Sequence, residues 1–312
     1  MRKKAIVVVG PTASGKTSLG IHICKEFSGE VISCDSMQIY KQMSISTAKP
    51  TIEEMDGIPH HLIDFLDVTE SYSVSDYCAD ARVAFEEVLS RGKLPVFVGG
   101  TGLYIDSFIS NTTFLEGASS DEVRKQLENE LCEKGPEEMY RILSEIDSQA
   151  AENIHPNNIK RVLRAIEVYR TTGLTITQQS EMSHSNDSDI EPLFIGITYN
   201  NRELLYDRIN NRVDLMLESG LVDEAKTLYS GECSKTAVAS IGCKELKPYL
   251  DGENSLEECI EKLKMNTRRY AKRQLTWFKR NEKIHWVYPD LCSADELYNQ
   301  VDILIKEFLA GE

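Results

Sequence analysis

Residues 10–17 read Gly-Pro-Thr-Ala-Ser-Gly-Lys-Thr and follow the apolar run Ala5-Ile-Val-Val-Val9. That spacing is a P-loop between a buried strand and a helix beginning near Lys16. Gly10 and Gly15 let the backbone turn tightly, so that the loop Pro11, Thr12, Ala13, Ser14 aims its N–H groups inward. The helix N-terminus adds partial positive charge. Lys16 adds a full charge, and the Thr17 hydroxyl suits Mg²⁺. The motif specifies a polyphosphate without saying which one, or what happens to it.

A P-loop commonly works with a second acid at a strand end, which holds Mg²⁺ or orients water. Here the strand Leu94-Pro-Val-Phe-Val98 runs into Gly99-Gly100-Thr101-Gly102 and carries no such acid. The available carboxylate is Asp35, which closes the strand Glu30-Val-Ile-Ser-Cys-Asp35 and opens Asp35-Ser-Met-Gln-Ile-Tyr40. An acid just past a strand end, beside the P-loop, faces the ligand crevice of an open α/β sheet. It reads as a general base or a metal's outer ligand, or else as a turn or helix-capping aspartate. Thr101 either reaches the same crevice or is a structural turn residue.

The elements that must position these residues are visible in the pattern. Strands alternating with helices predict a parallel α/β sheet. Residues 73–91 read as a helix, with Ser73 and Asp76 as a capping pair, an apolar stripe through Tyr77, Ala81, Phe85 and Val88, and Gly92 at its end. From Ser119 to Gly173 only helical patterns occur: about 120–134 up to Gly135-Pro136, about 137–147, and a third after Asn157 that stops at Gly173. Residues 180–191, rich in Ser, Asn and Asp, read as a loop. A strand returns at Pro192-Leu-Phe-Ile-Gly-Ile-Thr198. The expected organisation is a core over 1–114, a helical insertion over 115–191, and the rest of the core with C-terminal helices over 192–312. A long helix runs from Ser255, boxed by Glu258, to about Phe278, and Lys283-Ile-His-Trp-Val287 is a candidate last strand.

The 312 residues, 41% apolar, suffice for one large domain or two smaller ones. No apolar run approaches the ~20 residues a membrane helix needs. The basic start Arg2-Lys3-Lys4 leads through only a short apolar run into the P-loop, which reads as a first strand and not a signal peptide. A cytoplasmic protein is expected. The eight cysteines form no C-x-x-C pair, so free thiols, mostly core residues, are expected. His60-His61 reads as a loop or strand-edge pair. The net charge of −15 argues against non-specific nucleic-acid binding. Yet between Lys262 and Lys283 the positive side chains Lys264, Arg268, Arg269, Lys272, Arg273, Lys279 and Arg280 face only Glu282. Lys160, Arg161 and Arg164 form a second basic segment. Two basic patches on an acidic chain point to a long polyanion such as RNA, the plainer reading being a solvated basic face. Trp277 either stacks on a base or packs near Phe278.

Seven motifs in order resemble the tRNA dimethylallyltransferase (tRNA isopentenyltransferase) family. They are Gly10-Pro-Thr-Ala-Ser-Gly-Lys-Thr17, Asp35-Ser-Met-Gln-Ile-Tyr40, Gly99-Gly-Thr-Gly-Leu-Tyr104, His155-Pro-Asn, Arg161-Val-Leu-Arg-Ala-Ile-Glu-Val168, Ile241-Gly-Cys-Lys-Glu245 and Arg273-Gln-Leu-Thr-Trp277. The chain departs from the family at Asn158-Ile159-Lys160, where Asp-Pro-Gln is frequent, and at Cys243, where tyrosine is common. The resemblance implies a P-loop NTPase-like parallel sheet flanked by helices, with an all-helical insertion domain that binds tRNA.

It further implies dimethylallyl diphosphate as the phosphate ligand, Mg²⁺ on Thr17, and alkyl transfer to N6 of the adenine just 3′ of the anticodon in tRNAs reading U-initial codons. Asp35 would accept the N6 proton, Thr101 would hydrogen-bond near the same nitrogen, and Lys16 with the P-loop would stabilise the leaving diphosphate. Arg208 and Arg212 are further diphosphate candidates. Ser36 and Gln38 would read the adenine edge, with Met37 between them. Arg124, Lys160, Arg161, Arg164, Lys244, Arg268, Arg273 and Gln274 are the remaining tRNA contacts expected; each arginine is open to a plain surface ion pair instead. Nothing demands more than a monomer. Competing readings are an ATP-using small-molecule kinase with the 115–190 block as lid, an isopentenyltransferase acting on free AMP or ADP, and a non-catalytic RNA-binding module.

Overall fold

A computed structural model describes residues 2–114, 117–118, 120–184 and 188–311. Its strands are β1 (Lys3–Val9), β2 (Gly29–Cys34), β3 (His60–His61), β4 (Leu94–Gly99), β5 (Ile190–Ile197) and β6 (Ile284–Val287). They form one all-parallel sheet in the order β3-β2-β4-β1-β5-β6. In chain order the helices are α1 (Lys16–Glu26), α2 (Ile52–Met55), α3 (Val74–Ser90), α4 (Gly102–Ile109), α5 (Asp121–Ile146), α6 (Ser148–Asn153), α7 (Ile159–Thr172) and α8 (Ile176–His184). After β5 come α9 (Arg202–Glu218), α10 (Leu221–Ser230), α11 (Lys235–Val238), α12 (Cys243–Leu250) and α13 (Leu256–Phe278), and α14 (Ala294–Ala310) follows β6.

The continuous apolar run of β1 reflects its place. Ala5 through Val9 are fully buried between β4 and β5, as a central parallel strand with both faces covered must be. Side chains alternate between the faces. Ile6, Val8, Val96 and Ile195 pack with Leu19 and Ile23 of α1 and with Val301 and Ile305 of α14. Phe97, one residue on in β4, turns to the other face, where its ring lies 6.0 Å from Phe85 of α3 and 4.9 Å from Phe108 of α4. The chain leaves β1 for β2 and β3 on one side and returns after β4 to β5 and β6 on the other. The carboxyl end of β1 therefore lies at a reversal of strand order, where ligand crevices form.

The expected caps form. Ser73 with Asp76 boxes α3, and Ser255 with Glu258 boxes α13; each satisfies two N–H groups that the helix itself cannot. His60-His61 is one of the sheet's two edge strands, and the His61 ring sits 2.7 Å from the Glu30 carboxylate, which Arg91 also holds. All eight cysteines are free, though only Cys24, Cys34, Cys243 and Cys259 are buried and Cys132 is exposed.

The chain divides into two compact units: residues through Phe108 together with those from Asp189 onward, and Ile109–Ser188. Among its described residues the regular elements of the second are all helices, and it has its own core of Leu127, Met139, Leu143, Val162, Ala165 and Ile166. Its break at Gly135 is a kink, with Gly135 at φ 80° and ψ 167°. Ser119, taken as the start of this stretch, lies outside the described residues. Of the stretch 180–191 read as a loop, α8 takes the first residues to His184, 185–187 lie outside the described residues, and β5 already begins at Ile190.

Candidate active site

Because the sheet is parallel, the ends of β1, β2 and β4 deliver the P-loop, Asp35 and Thr101 to the same edge. A cavity of about 350 Å³ opens there, lined by Thr12, Lys16, Thr17, Asp35, Gly99 and Arg212 among others. The P-loop's conformation depends on its glycines. A Cβ on Gly10 would sit 2.2 Å from the Ile197 carbonyl oxygen, and Gly15, at φ 102°, starts α1 from the left-handed region. Lys16 Nζ donates to the Pro11 carbonyl at 2.7 Å. Enclosure by the protein, and then the Arg212 charge, pull the Lys16 ammonium down to about 7, against an opposing pull from Asp35.

Of the two arginines expected at the phosphates, Arg212 lines the cavity, whereas Arg208 lies beside the P-loop and is not among the lining residues. Arg208 Nε donates to the Ala13 carbonyl at 3.0 Å, its guanidinium 5.3 Å over the Tyr199 ring. Arg212 reaches Thr12 Oγ1 at 3.5 Å and the Ala48 carbonyl at 3.2 Å, and burial lowers its pKa.

Asp35 uses one carboxylate oxygen, Oδ1, to accept from Met37 N at 2.9 Å and Gln38 N at 3.3 Å. Thr101 is tied to the same turn: its backbone N–H donates to Cys34 O at 3.0 Å, and its Oγ1 accepts from Ser36 N at 3.1 Å. Asp35 is therefore both a turn residue and a wall of the cavity, since Oδ2 takes no part in the turn. The Gln38 amide donates to the carbonyls of Thr47 and Ala48, each at 3.2 Å. Ile209, Val213, Met216, Ile241 and Leu263 give the cavity an apolar side.

Gln274, expected as an RNA contact, is corrected by its surroundings. It is buried; Oε1 accepts from Thr12 N at 2.9 Å and Nε2 donates to Gly100 O at 3.0 Å. Both ends of its amide are engaged in tying the P-loop to the glycine-rich loop. Replacing it by leucine leaves a donor and an acceptor unpaired. Gln274→Leu is expected to lower stability by about 2–4 kcal/mol, read by chemical denaturation; a change within ~0.5 kcal/mol, the usual range for a surface substitution, would contradict this role. Tyr270, which the sequence marks only as part of an apolar stripe, lines the cavity beside Gln274, and burial raises its phenol pKa. The Arg273 guanidinium lies 5.6 Å over the Tyr270 ring.

Among the other basic residues, Lys244 and Arg273 are exposed and line the cavity, whereas Arg268 donates to Asn210 Oδ1 at 2.6 Å. Trp277 packs against Gly102 and donates from Nε1 to Asp106 at 2.8 Å, with Arg280 4.1 Å over its ring. Lys160 and Arg161 are exposed on α7 in the helical unit. In the same unit Arg124 and Arg164 both pair with the buried Glu167 carboxylate, at 3.1 and 3.0 Å. The two cations hold that carboxyl below its usual range against the burial that would raise it.

The depressed Lys16 has a measurable consequence. Above about pH 7 the empty site holds it largely neutral, and a bound polyanion restores its charge, so binding must take up a proton. Calorimetry of inorganic diphosphate binding at about pH 8, in buffers of different ionisation heat, is expected to show greater net proton uptake by the parent than by Lys16→Met, which leaves the ligand's own titration unchanged, with the difference falling toward none at about pH 6. The same net uptake in both proteins at about pH 8 would contradict the depressed pKa.

With the geometry in place, the chain can be set beside known proteins. A family model described as IPP transferase matches residues 38–281. The tRNA dimethylallyltransferase of Acetivibrio thermocellus is 51% identical over 293 residues, 93% of either chain. A full-length tRNA isopentenylpyrophosphate transferase from Bacillus halodurans, of solved structure, is 43% identical with a TM-score of 0.73 over 98% of both chains. A eukaryotic dimethylallyltransferase solved acting on tRNA is 33% identical, with a TM-score of 0.83 over 99% of this chain and 80% of that one.

Proposed function

The chain belongs to the IPP transferase family, and from that premise we infer that it transfers a dimethylallyl group from dimethylallyl diphosphate to tRNA. The acceptor is N6 of the adenine just 3′ of the anticodon in tRNAs reading U-initial codons. The observation that carries this reading is one cavity with three unlike walls: the P-loop with Lys16 and Arg212, the turn of Asp35 and Ser36 that Thr101 braces from behind through Ser36 N, and the apolar side chains of Val213, Met216 and Leu263. They match, in turn, a diphosphate, an adenine edge and a small hydrocarbon.

In the reaction the N6 lone pair attacks the allylic C1, the C1–O bond breaks, and its electron pair leaves with diphosphate. The N6 proton passes to Asp35 Oδ2. That acceptor is needed because the N6 lone pair is delocalised into the ring and the amine is weakly nucleophilic. Lys16 and the P-loop N–H groups meet the charge that grows on the leaving oxygens, while Arg212 holds the diphosphate throughout. Ser36 and Thr101 supply hydroxyls at the adenine, and Gln38 an amide.

Mg²⁺ fits this donor set. The Thr17 hydroxyl is a hard oxygen ligand on the cavity, and among the described residues no cluster of three or more His, Cys, Asp or Glu offers a full protein cage. When bound, the ion neutralises charge on the diphosphate.

A stacked loop base does not reach a cleft, so the adenine is flipped out. Exposed Lys244 and Arg273 at the cavity, and Lys160 and Arg161 on α7, then contact RNA phosphates. One chain supplies every group of this site, so a monomer suffices. No helix among the described residues is long and apolar enough to cross a membrane. A cytoplasmic location is inferred from the tRNA substrate alone.

The test is incubation with radiolabelled dimethylallyl diphosphate, Mg²⁺ and unmodified tRNA, beside AMP and ATP. Label in tRNA and none in AMP is expected. ATP consumption without labelled RNA would replace this reading by a kinase, and labelled AMP by a free-nucleotide prenyltransferase.

A further inference from the structure

One wall of the cavity is held from outside by a carboxylate that the reaction does not use. The turn Ser44–Ala48 contributes Ser46, Thr47 and Ala48 to the lining. Its far side is bound by Glu224, which accepts from three successive backbone N–H groups. Oε2 takes Ser44 N at 2.9 Å and Ile45 N at 2.7 Å, and Oε1 takes Ser46 N at 2.8 Å. Three consecutive N–H groups converging on one anion form a backbone nest. Glu224 is placed by Gly220, whose left-handed φ of 98° starts α10 and whose carbonyl accepts from Glu224 N at 3.1 Å. A carboxylate in the first turn is also favoured by the helix dipole.

The inner side of the turn holds two groups expected to meet substrate. The Thr47 and Ala48 carbonyls accept from Gln38, and the Ala48 carbonyl accepts from Arg212. Ala48 itself lies at φ 46°, a conformation that a non-glycine residue keeps only when its surroundings impose it.

We propose that Glu224 is a positioning residue for the transferase site, which through the Ser44–Ala48 turn fixes Gln38 at the adenine and Arg212 at the diphosphate. The inference rests on the function proposed above. It also predicts a division of labour. Lys16, Asp35 and Thr101 are anchored by the P-loop and by the ends of β2 and β4, so the chemical step survives a loosened turn while ground-state binding does not.

Glu224→Gln keeps the shape but turns an amide N–H toward a backbone N–H. The expected result is a rise of about tenfold in the KM for dimethylallyl diphosphate, with kcat within about threefold of the parent. The Kd for inorganic diphosphate, measured by calorimetry, should weaken by a similar factor. Glu224→Asp, which keeps the charge on a shorter arm, should recover part of the loss and gives a second reading if the glutamine variant does not accumulate. An unchanged KM and Kd, with only the active fraction reduced, would mean that Glu224 merely stabilises the fold and would overturn the proposal. The parent enzyme run in parallel separates the two claims. No label transfer by the parent would defeat the functional reading, whereas diphosphate affinity still judges Glu224.

Discussion

Asp35→Asn is expected to retain the fold and tRNA affinity but to lose kcat by about 10²–10⁴-fold, the usual contribution of a positioned general base. Asparagine is the informative replacement because Asp35 has two separable tasks. Oδ1 accepts from Met37 N and Gln38 N and shapes the turn, which an amide oxygen does equally well. Only the capacity to take a proton is removed. Filter binding of tRNA and single-turnover transfer measure the two tasks independently. An Asn variant that turned over at the parent rate would remove Asp35 from proton transfer and leave it as a turn residue alone. Loss of tRNA binding with the rate would show that the carboxylate acts in recognition.

Lys16→Met should lower kcat by about 10²–10³-fold, comparable to the loss of one preorganised donor at a developing oxyanion. Methionine keeps the length and apolar stem of the side chain and deletes the charge. Because the ammonium sits against the Pro11 carbonyl, beside Arg212 and Asp35, its removal also eliminates a like-charge neighbour of Arg212. The variant is therefore expected to fold normally and to bind inorganic diphosphate more weakly. It should also lose the excess proton uptake described for the parent. If that excess persisted, another group in the cavity would be the one that titrates. If kcat were unchanged, Arg208, Arg212 and the loop N–H groups alone would suffice for the leaving group.

The parts of this site legible in the sequence were those encoded locally. A glycine loop after an apolar run, an acid at a strand end and a serine-glutamate cap are all fixed by neighbours within a few residues, and β1, β2, β4 and α13 formed where those signals lay. Groups that act across long separations left no local mark. Glu224 serves a turn about 180 residues earlier in the chain, and it reads in sequence as an ordinary surface glutamate on an amphipathic helix. Tyr270 reads as one more apolar residue of a core stripe.

Gln274 is different, because a signal was present. It lies three residues after Ala271 and four before Phe278, both buried, so helical spacing places it on the inward face of α13. A glutamine on a buried stripe needs two partners, and the P-loop and glycine loop supply them. Arg164 with Glu167 is an i, i+3 pair, and the same reasoning would have assigned it to the helical unit's own network. The two-residue β3 is too short to carry any periodicity.

The most direct test of the account is nuclease digestion and mass spectrometry of one unmodified tRNA after incubation with the enzyme, dimethylallyl diphosphate and Mg²⁺. A single added dimethylallyl group, on N6 of the adenosine just 3′ of the anticodon, is expected. Unmodified adenosine at that position, or the group on any other nucleotide, would contradict it.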